Sequence, residues 1–272
     1  MLAKTLTVSS LLGPAISASN FRVFDSTAYT NTSVGYGTSN INWIPNYVCS
    51  PLVAHNAIPS ADTWQSVVLQ WNIYPGYPLV LDCENIYLNS PSTADHNLEV
   101  MKTLQTWAAQ VLPSRQIIGW YGLSGNTAAS LYGHYQRLIA NYSAHAFFPS
   151  AYTFSSSLAT WQTSLNSVLA KVKAIDASLP VYPFIWPQYH ESPHSFYPVE
   201  LWKNQLDVLT ENQEMDGFVI WGGKNHLVCG DVCQATAGTK PWLSATRTYL
   251  KGLYGIYGGT PQKQGAQLFT GV

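Results

Sequence analysis

The chain alternates short apolar, aromatic-rich runs with longer stretches whose apolar residues recur at helical spacing. The short runs predict strands at Phe21–Phe24, Trp43–Val48, Leu79–Leu81, Ile117–Trp120, Ala146–Pro149, Val181–Ile185 and Gly217–Trp221. Between them the 3.6-residue pattern predicts helices at Ala61–Trp71, Ala94–Val111, Thr127–Ala140, Leu158–Ala177 and Pro198–Glu211. Gly125-Asn126 ahead of the third helix and a proline at the head of the last are start signals. Strands alternating with helices of this length build parallel βα units. No Gly-x-Gly-x-x-Gly follows the first strand, so a dinucleotide-binding sheet lacks its main signature. The expected fold is α/β, a TIM-like (β/α) barrel with seven strands, one fewer than the usual eight. No repeat and no low-complexity linker interrupts the pattern, and residues 19–258 read as one catalytic domain.

One predicted strand ends unusually. Leu79–Leu81 runs straight into Asp82-Cys83-Glu84. Residues i and i+2 of a strand share a face, which sets Asp82 and Glu84 side by side. Carboxylates are costly to bury unless they are paired or used, and two this close do not both ionise easily, so one pKa is pushed up. A glycosidase needs such a raised pKa in the acid that protonates the leaving oxygen. Glu84, longer and further along the strand, is the better proton donor; Asp82 is then the partner that orients. Same-face neighbours do not flank a scissile bond from opposite sides, so the nucleophile arrangement of roughly 5–5.5 Å across the sugar fits them poorly. A substrate whose own 2-acetamido oxygen attacks C1 removes that difficulty.

Taken alone, an Asp-x-Glu reads equally well as a solvated strand end. Its weight comes from company. Barrel enzymes gather their chemistry at the C-terminal ends of strands, and most predicted strands here end in polar or aromatic groups. These are Asp25, the Asp82/Glu84 pair, Trp120-Tyr121, Tyr152, Trp186 through Tyr189 and His190, and Trp221. Glu191, just past a strand end, is the second choice of acid for a two-carboxylate mechanism on a non-acetylated glycan.

Composition narrows the function classes. Only 10% of the 272 residues are charged and the net charge is −1, which excludes the basic face of a nucleic-acid binder. Ten Trp and seventeen Tyr suit sugars, whose C–H faces lie on rings while their hydroxyls meet neutral partners. Residues 1–18 read as a secretory signal, with Lys4, an apolar run from Leu6 to Pro14 and the small-x-small Ile16-Ser17-Ala18. No other apolar run approaches the ~20 residues of a membrane span. The sequons at Asn31 and Asn141 fit a secreted glycoprotein. Cys49, Cys83, Cys229 and Cys233 are compatible with two disulfides, a local Cys229–Cys233 pair among them, while Cys83 reads first as a packing residue. No metal-ligand spacing accompanies them, so no metal and no cofactor are expected. Residues 259–272 read as a tail, and the expected state is a monomer acting on a polysaccharide or oligosaccharide.

Four stretches in order resemble the hyaluronidases, whose strand motif is Asp-Trp-Glu and whose barrel has seven parallel strands. Beside "LDCE" (81–84), "FFPSAYTF" (147–154) is similar to the family's Leu-Tyr-Pro-Ser-Ile-Tyr segment, "LPVYPFIW" (179–186) to its Leu-Pro-Val-Phe-Ala-Tyr segment, and "DGFVIWGG" (216–223) to its Gly-Ile-Val-Ile-Trp-Gly segment. The resemblance implies a retaining, substrate-assisted, endo-acting glycosidase. In it Glu84 is general acid then base, Asp82 orients the acetamido group, Tyr152 binds that group and Trp221 forms the wall under the sugar. Cys83 stands where the motif has tryptophan, Phe184 aligns with a family tyrosine, and the low Lys and Arg content weighs against a polyanionic substrate. Two other readings stay open: a catalytically silent carbohydrate-binding barrel, and a lyase with Tyr152 as its base.

Overall fold

The computed structural model describes residues 21–30, 32–54, 57–122, 127–223 and 236–255. The expected leader, Asn31, the Cys229–Cys233 turn and the tail lie outside them. Among the described residues, six strands form two parallel three-stranded sheets. One has the order β1 (Arg22–Thr27), β6 (Gly217–Gly222), β5 (Phe184–Ile185). The other has the order β2 (Asn42–Ile44), β3 (Leu79–Leu81), β4 (Ile118–Trp120). Helices α2 (Ala61–Trp71), α3 (Ala94–Val111), α4 (Tyr132–Ala140), α5 (Leu158–Ile175) and α6 (Val199–Glu211) connect them, as the apolar periodicity predicts.

The expected closed seven-stranded barrel is not found among the described residues: the regular ladders stop at two separate sheets of three strands each. Residues 146–149 form no strand of their own, and β5 is short. Single parallel bridges join the sheet edges instead, at Tyr121↔Phe148, Phe147↔Val181 and Ser150↔Phe184 on one side and Phe24↔Ser39 on the other. Prolines explain the difference. Pro149, Pro180 and Pro183 accept through their carbonyls from Phe184, Phe147 and Val219, but they have no N–H to return to a ladder. The residues expected as a strand over Trp43–Val48 also divide. Pro45 ends β2, and helix α1 (Asn46–Leu52) begins at once, with the Val48 and Cys49 amides donating to the Pro45 carbonyl. A further helix, α7 (Pro241–Tyr254), has Pro at its first turn and the left-handed Gly255 just past its end. It packs on α6, where the Trp202 indole donates to Thr246 Oγ1 at 2.7 Å.

Alternation along the strands sorts side chains into two layers. Phe24, Ile41, Val80, Phe148, Tyr182, Phe184 and Val219 fill the space between the sheets. Their neighbours Val23, Leu79, Leu81, Phe218 and Ile220 face the helices. Gly119 is required at this centre, because a Cβ there would lie 2.3 Å from the Phe148 ring.

Counting on from Leu81, Asp82 falls on the inner face and Cys83 on the helix face. Cys83 is therefore no simple packing residue: it bonds Cys49 of α1, with Cα atoms 5.1 Å apart. The bridge spans 34 residues, and closing a loop of that length in the unfolded chain is worth about 4 kcal/mol. The Cys49→Ser/Cys83→Ser variant should lose stability of that order, read as the difference in unfolding free energy extrapolated from denaturant titrations of both proteins. A loss below about 1 kcal/mol would show that the tie constrains little.

Candidate active site

The acids are set by where β3 stops. The Asp82 amide makes the last ladder bond, to the Ile44 carbonyl at 3.0 Å. The chain then turns through Cys83 into a single 3₁₀ turn, Glu84–Ile86, which lifts Glu84 out of the sheet and exposes it to the cavity. Helix α1 holds this turn from the side. The Glu84 amide donates to Asn46 Oδ1 at 3.0 Å, and Asn85 Nδ2 donates to the Ser50 carbonyl at 3.1 Å. Ser50 Oγ donates to the same Asn46 oxygen. The Asn46 backbone N–H and the Trp43 indole N–H donate to the Asp82 carboxyl.

Asp82 is 5% exposed, and its Oδ1 has no hydrogen-bond partner among the described residues. Burial, and next the neighbouring Glu84 charge, raise its pKa to about 8 against the two donated bonds. Burial also raises Glu84. Both carboxyls are thus raised, where the sequence-based expectation is one raised pKa, and at about 8 Asp82 favours its protonated form at neutral pH.

A cavity of about 1000 Å³ opens over the pair. It brings together six of the expected residues: Asp82, Glu84, Tyr121, Tyr152, Trp186 and Trp221. Tyr121, Tyr152 and Trp221 rest on the inner core, one layer beyond its aromatic rings. The Tyr152 ring lies 5.9 Å from both Trp186 and Trp221, and it stacks on His190 at 5.7 Å. Its hydroxyl shares a hydrogen bond with Tyr121, which is also bonded to Ser150. Burial drives the Tyr152 pKa far above its ordinary value, so it stays a neutral phenol. Trp186 is fixed by its indole N–H, which donates to Gln188 Oε1 at 3.0 Å and to the Tyr29 hydroxyl at 3.1 Å.

Three expected residues do not line the cavity. Asp25 closes its own loop, accepting from Thr27 N, Thr27 Oγ1 and Val34 N. The Tyr189 ring packs on Tyr197 at 5.3 Å. Glu191 is exposed beside His190, with 3.9 Å between Oε1 and Nδ1. Conversely, Trp43, Asn46, Tyr87 and Ser150 line the cavity without having been singled out. Trp43 had a sequence signal, two residues past the inner-face Ile41, and its ring sits 6.2 Å from Trp221. Asn46 had none, because its role depends on a helix that the sequence pattern hides. Among the described residues no cluster of His, Cys, Asp or Glu is arranged to hold a metal.

The raised Asp82 pKa is also a stability statement. A carboxyl that binds its proton more tightly folded than unfolded favours folding less as pH rises from about 4 to about 8. The full cost on the alkaline side is on the order of 5 kcal/mol. Asp82→Asn should therefore raise Tm at pH 8 by more than at pH 4.5, as thermal melts of both proteins would show. An equal effect at the two pH values would mean that Asp82 titrates normally.

No protein-family model matches the chain, and no curated protein does. Among solved structures, bee venom hyaluronidase superposes with a TM-score of 0.60 at 12% identity, covering 84% of this chain and 99% of that one. A GH18 chitinase from Pseudoalteromonas aurantia gives 0.47 at 13% identity, over 78% of this chain and 77% of that chain. A GH113 beta-1,4-mannanase gives 0.46 at 11% identity, over 85% and 98%. At these identities the likeness speaks to architecture, and it relates the fold of this chain to that of a glycoside hydrolase.

Proposed function

We propose that the protein is a glycosidase with a seven-segment (β/α) barrel, cleaving a glycan by a retaining, substrate-assisted mechanism at Asp82 and Glu84. The observation that carries this reading is the acid pair itself: a buried Asp82, which burial holds toward its protonated form, beside an accessible Glu84, under an aromatic wall. The two groups hold one proton between them. In the free protein it rests on Asp82. A 2-acetamido N–H donated to the orphaned Asp82 Oδ1 would satisfy a costly unpaired acceptor and favour the ionised form of Asp82. The proton is then carried by Glu84, so substrate binding arms the general acid.

Glu84 passes this proton to the glycosidic oxygen as the acetamido oxygen attacks C1 and the leaving sugar departs. The cyclic intermediate carries a positive charge beside the Asp82 carboxylate, and Glu84, now a carboxylate, takes a proton from the water that opens it. Tyr152, held as a neutral phenol, is a hydrogen-bond donor for the acetamido group, and Trp221 supports the sugar ring. That same burial argues against a lyase, because Tyr152 would have to ionise to act as base. A lectin has no use for two acids that repel each other. Secretion with removal of residues 1–18 fits the Cys49–Cys83 bond, which persists in oxidising compartments.

Release of reducing ends from hyaluronan, N-acetylglucosamine oligomers and cellulose oligomers tests this reading, with N-acetylated chains expected to be cleaved and cellulose spared. Glu84→Gln should lower kcat by about 10²–10⁴-fold. Asp82→Asn should also impair turnover, and it should move the alkaline limb of the pH–rate profile downwards. The last proton must then sit on Glu84 alone, without a like-charged neighbour. Near-normal turnover in Glu84→Gln would end the assignment, and rapid cleavage of cellulose would replace substrate assistance with a protein nucleophile.

A further inference from the structure

The cavity extends well past the acids. At about 1000 Å³ it stands at the top of the ~300–1,000 Å³ range that encloses a drug-sized ligand, more room than one sugar needs. Two large rings line it while remaining exposed: Phe154 at 59% and Tyr47 at 62%. Phe154 is the outer end of a continuous series. Its ring lies 4.7 Å from His190, which stacks on Tyr152 at 5.7 Å, which in turn lies 5.9 Å from Trp221. Tyr47 is backed by Trp71 at 6.3 Å and sits on α1, next to Asn46.

The pairing order places these rings on different sides of the acids. β2, which leads to Tyr47, pairs with one edge of β3; β4 and then the 146–150 segment, which leads to Phe154, lie beyond the other. Thr163, Ser164 and Ser167 of α5 also line the cavity; the Thr163 and Ser164 hydroxyls donate to the Ala159 and Thr160 carbonyls of their own helix, which leaves their oxygens as acceptors. Among the described lining residues there is no Lys or Arg, and the only carboxylates are the acid pair. Burial lowers the His190 pKa and keeps that ring neutral near pH 7.

Resting on the glycosidase reading, we propose that Phe154 and Tyr47 are outer sugar-stacking subsites on opposite sides of the acid pair. They bind an uncharged glycan chain across the cleft, so that it is cut internally. Each ring gives a flat apolar face to the C–H side of a pyranose, and the serine and threonine hydroxyls meet the sugar hydroxyls. Neither ring touches the reacting atoms.

The test compares kcat/KM for N-acetylglucosamine oligomers from trisaccharide to hexasaccharide, and for hyaluronan hexasaccharide, in wild type, Phe154→Ala and Tyr47→Ala. Both substitutions lie at exposed positions, and unchanged Tm confirms intact folding. The wild type should cleave longer oligomers faster and release internal fragments. Each variant should lose about tenfold on the hexasaccharide while matching wild type on the trisaccharide, and Phe154→Trp and Tyr47→Phe should retain the long-chain preference. Wild-type hydrolysis with the same length dependence in both alanine variants would overturn the subsites and leave the glycosidase reading standing. Faster cleavage of hyaluronan than of the uncharged hexasaccharide would overturn the uncharged substrate. If neither series is hydrolysed, the glycosidase reading falls and the subsites fall with it.

Discussion

The grip of α1 on the turn after β3 is the constraint from which the site follows. A strand delivers alternate residues to opposite faces, and here that alternation is used for three successive positions. Asp82 goes inward, Cys83 goes outward to bond Cys49, and Glu84 is carried clear by a 3₁₀ turn. Asn46 then bonds both acids' neighbourhoods at once, its backbone N–H donating to the Asp82 carboxyl and its side chain accepting from the Glu84 amide. A covalent bond and several hydrogen bonds over so short a stretch leave the pair little freedom, and preorganised donors of this kind are what electrostatic catalysis requires.

Beneath the pair, the inner core acts as a floor. Phe148, Phe184 and Tyr182 pack edge-on and tilted around Gly119, whose missing side chain is what admits Phe148. The next layer along the same strands is Tyr121, Tyr152, Trp186 and Trp221, so the cleft aromatics inherit their positions from the core rings below them. Desolvation by this layer shifts Asp82 and Tyr152 alike, holding one as an acid with a proton and the other as a phenol with a proton.

Much of this could be read from the chain, and the remainder has identifiable causes. Leu79–Leu81, Ala61–Trp71 and Ala94–Val111 are found where the apolar pattern puts them, because each has one clear periodicity. The acid pair and its aromatic companions could be assembled because they fall at strand ends. The pattern fails where proline intervenes. Pro45 turns an apparent strand into α1, and Pro149, Pro180 and Pro183 leave bridges where ladders were expected. Cys83 could not be paired from sequence, since its partner lies on that hidden helix. Asp25 shows the opposite error: a strand-end carboxylate with good placement whose two oxygens both accept hydrogen bonds from its own loop.

The Cys49–Cys83 bond holds the turn that carries the acids by a means different from packing. A ring is held by the density of its neighbours, and that hold weakens as side chains loosen on heating. A bond does not depend on its surroundings. The acid turn and α1 therefore form a small local unit tied from within, able to keep its shape through the partial openings by which folded proteins lose their looser parts first. Heat that disturbs the aromatic wall of the cleft would then reach the acid pair last.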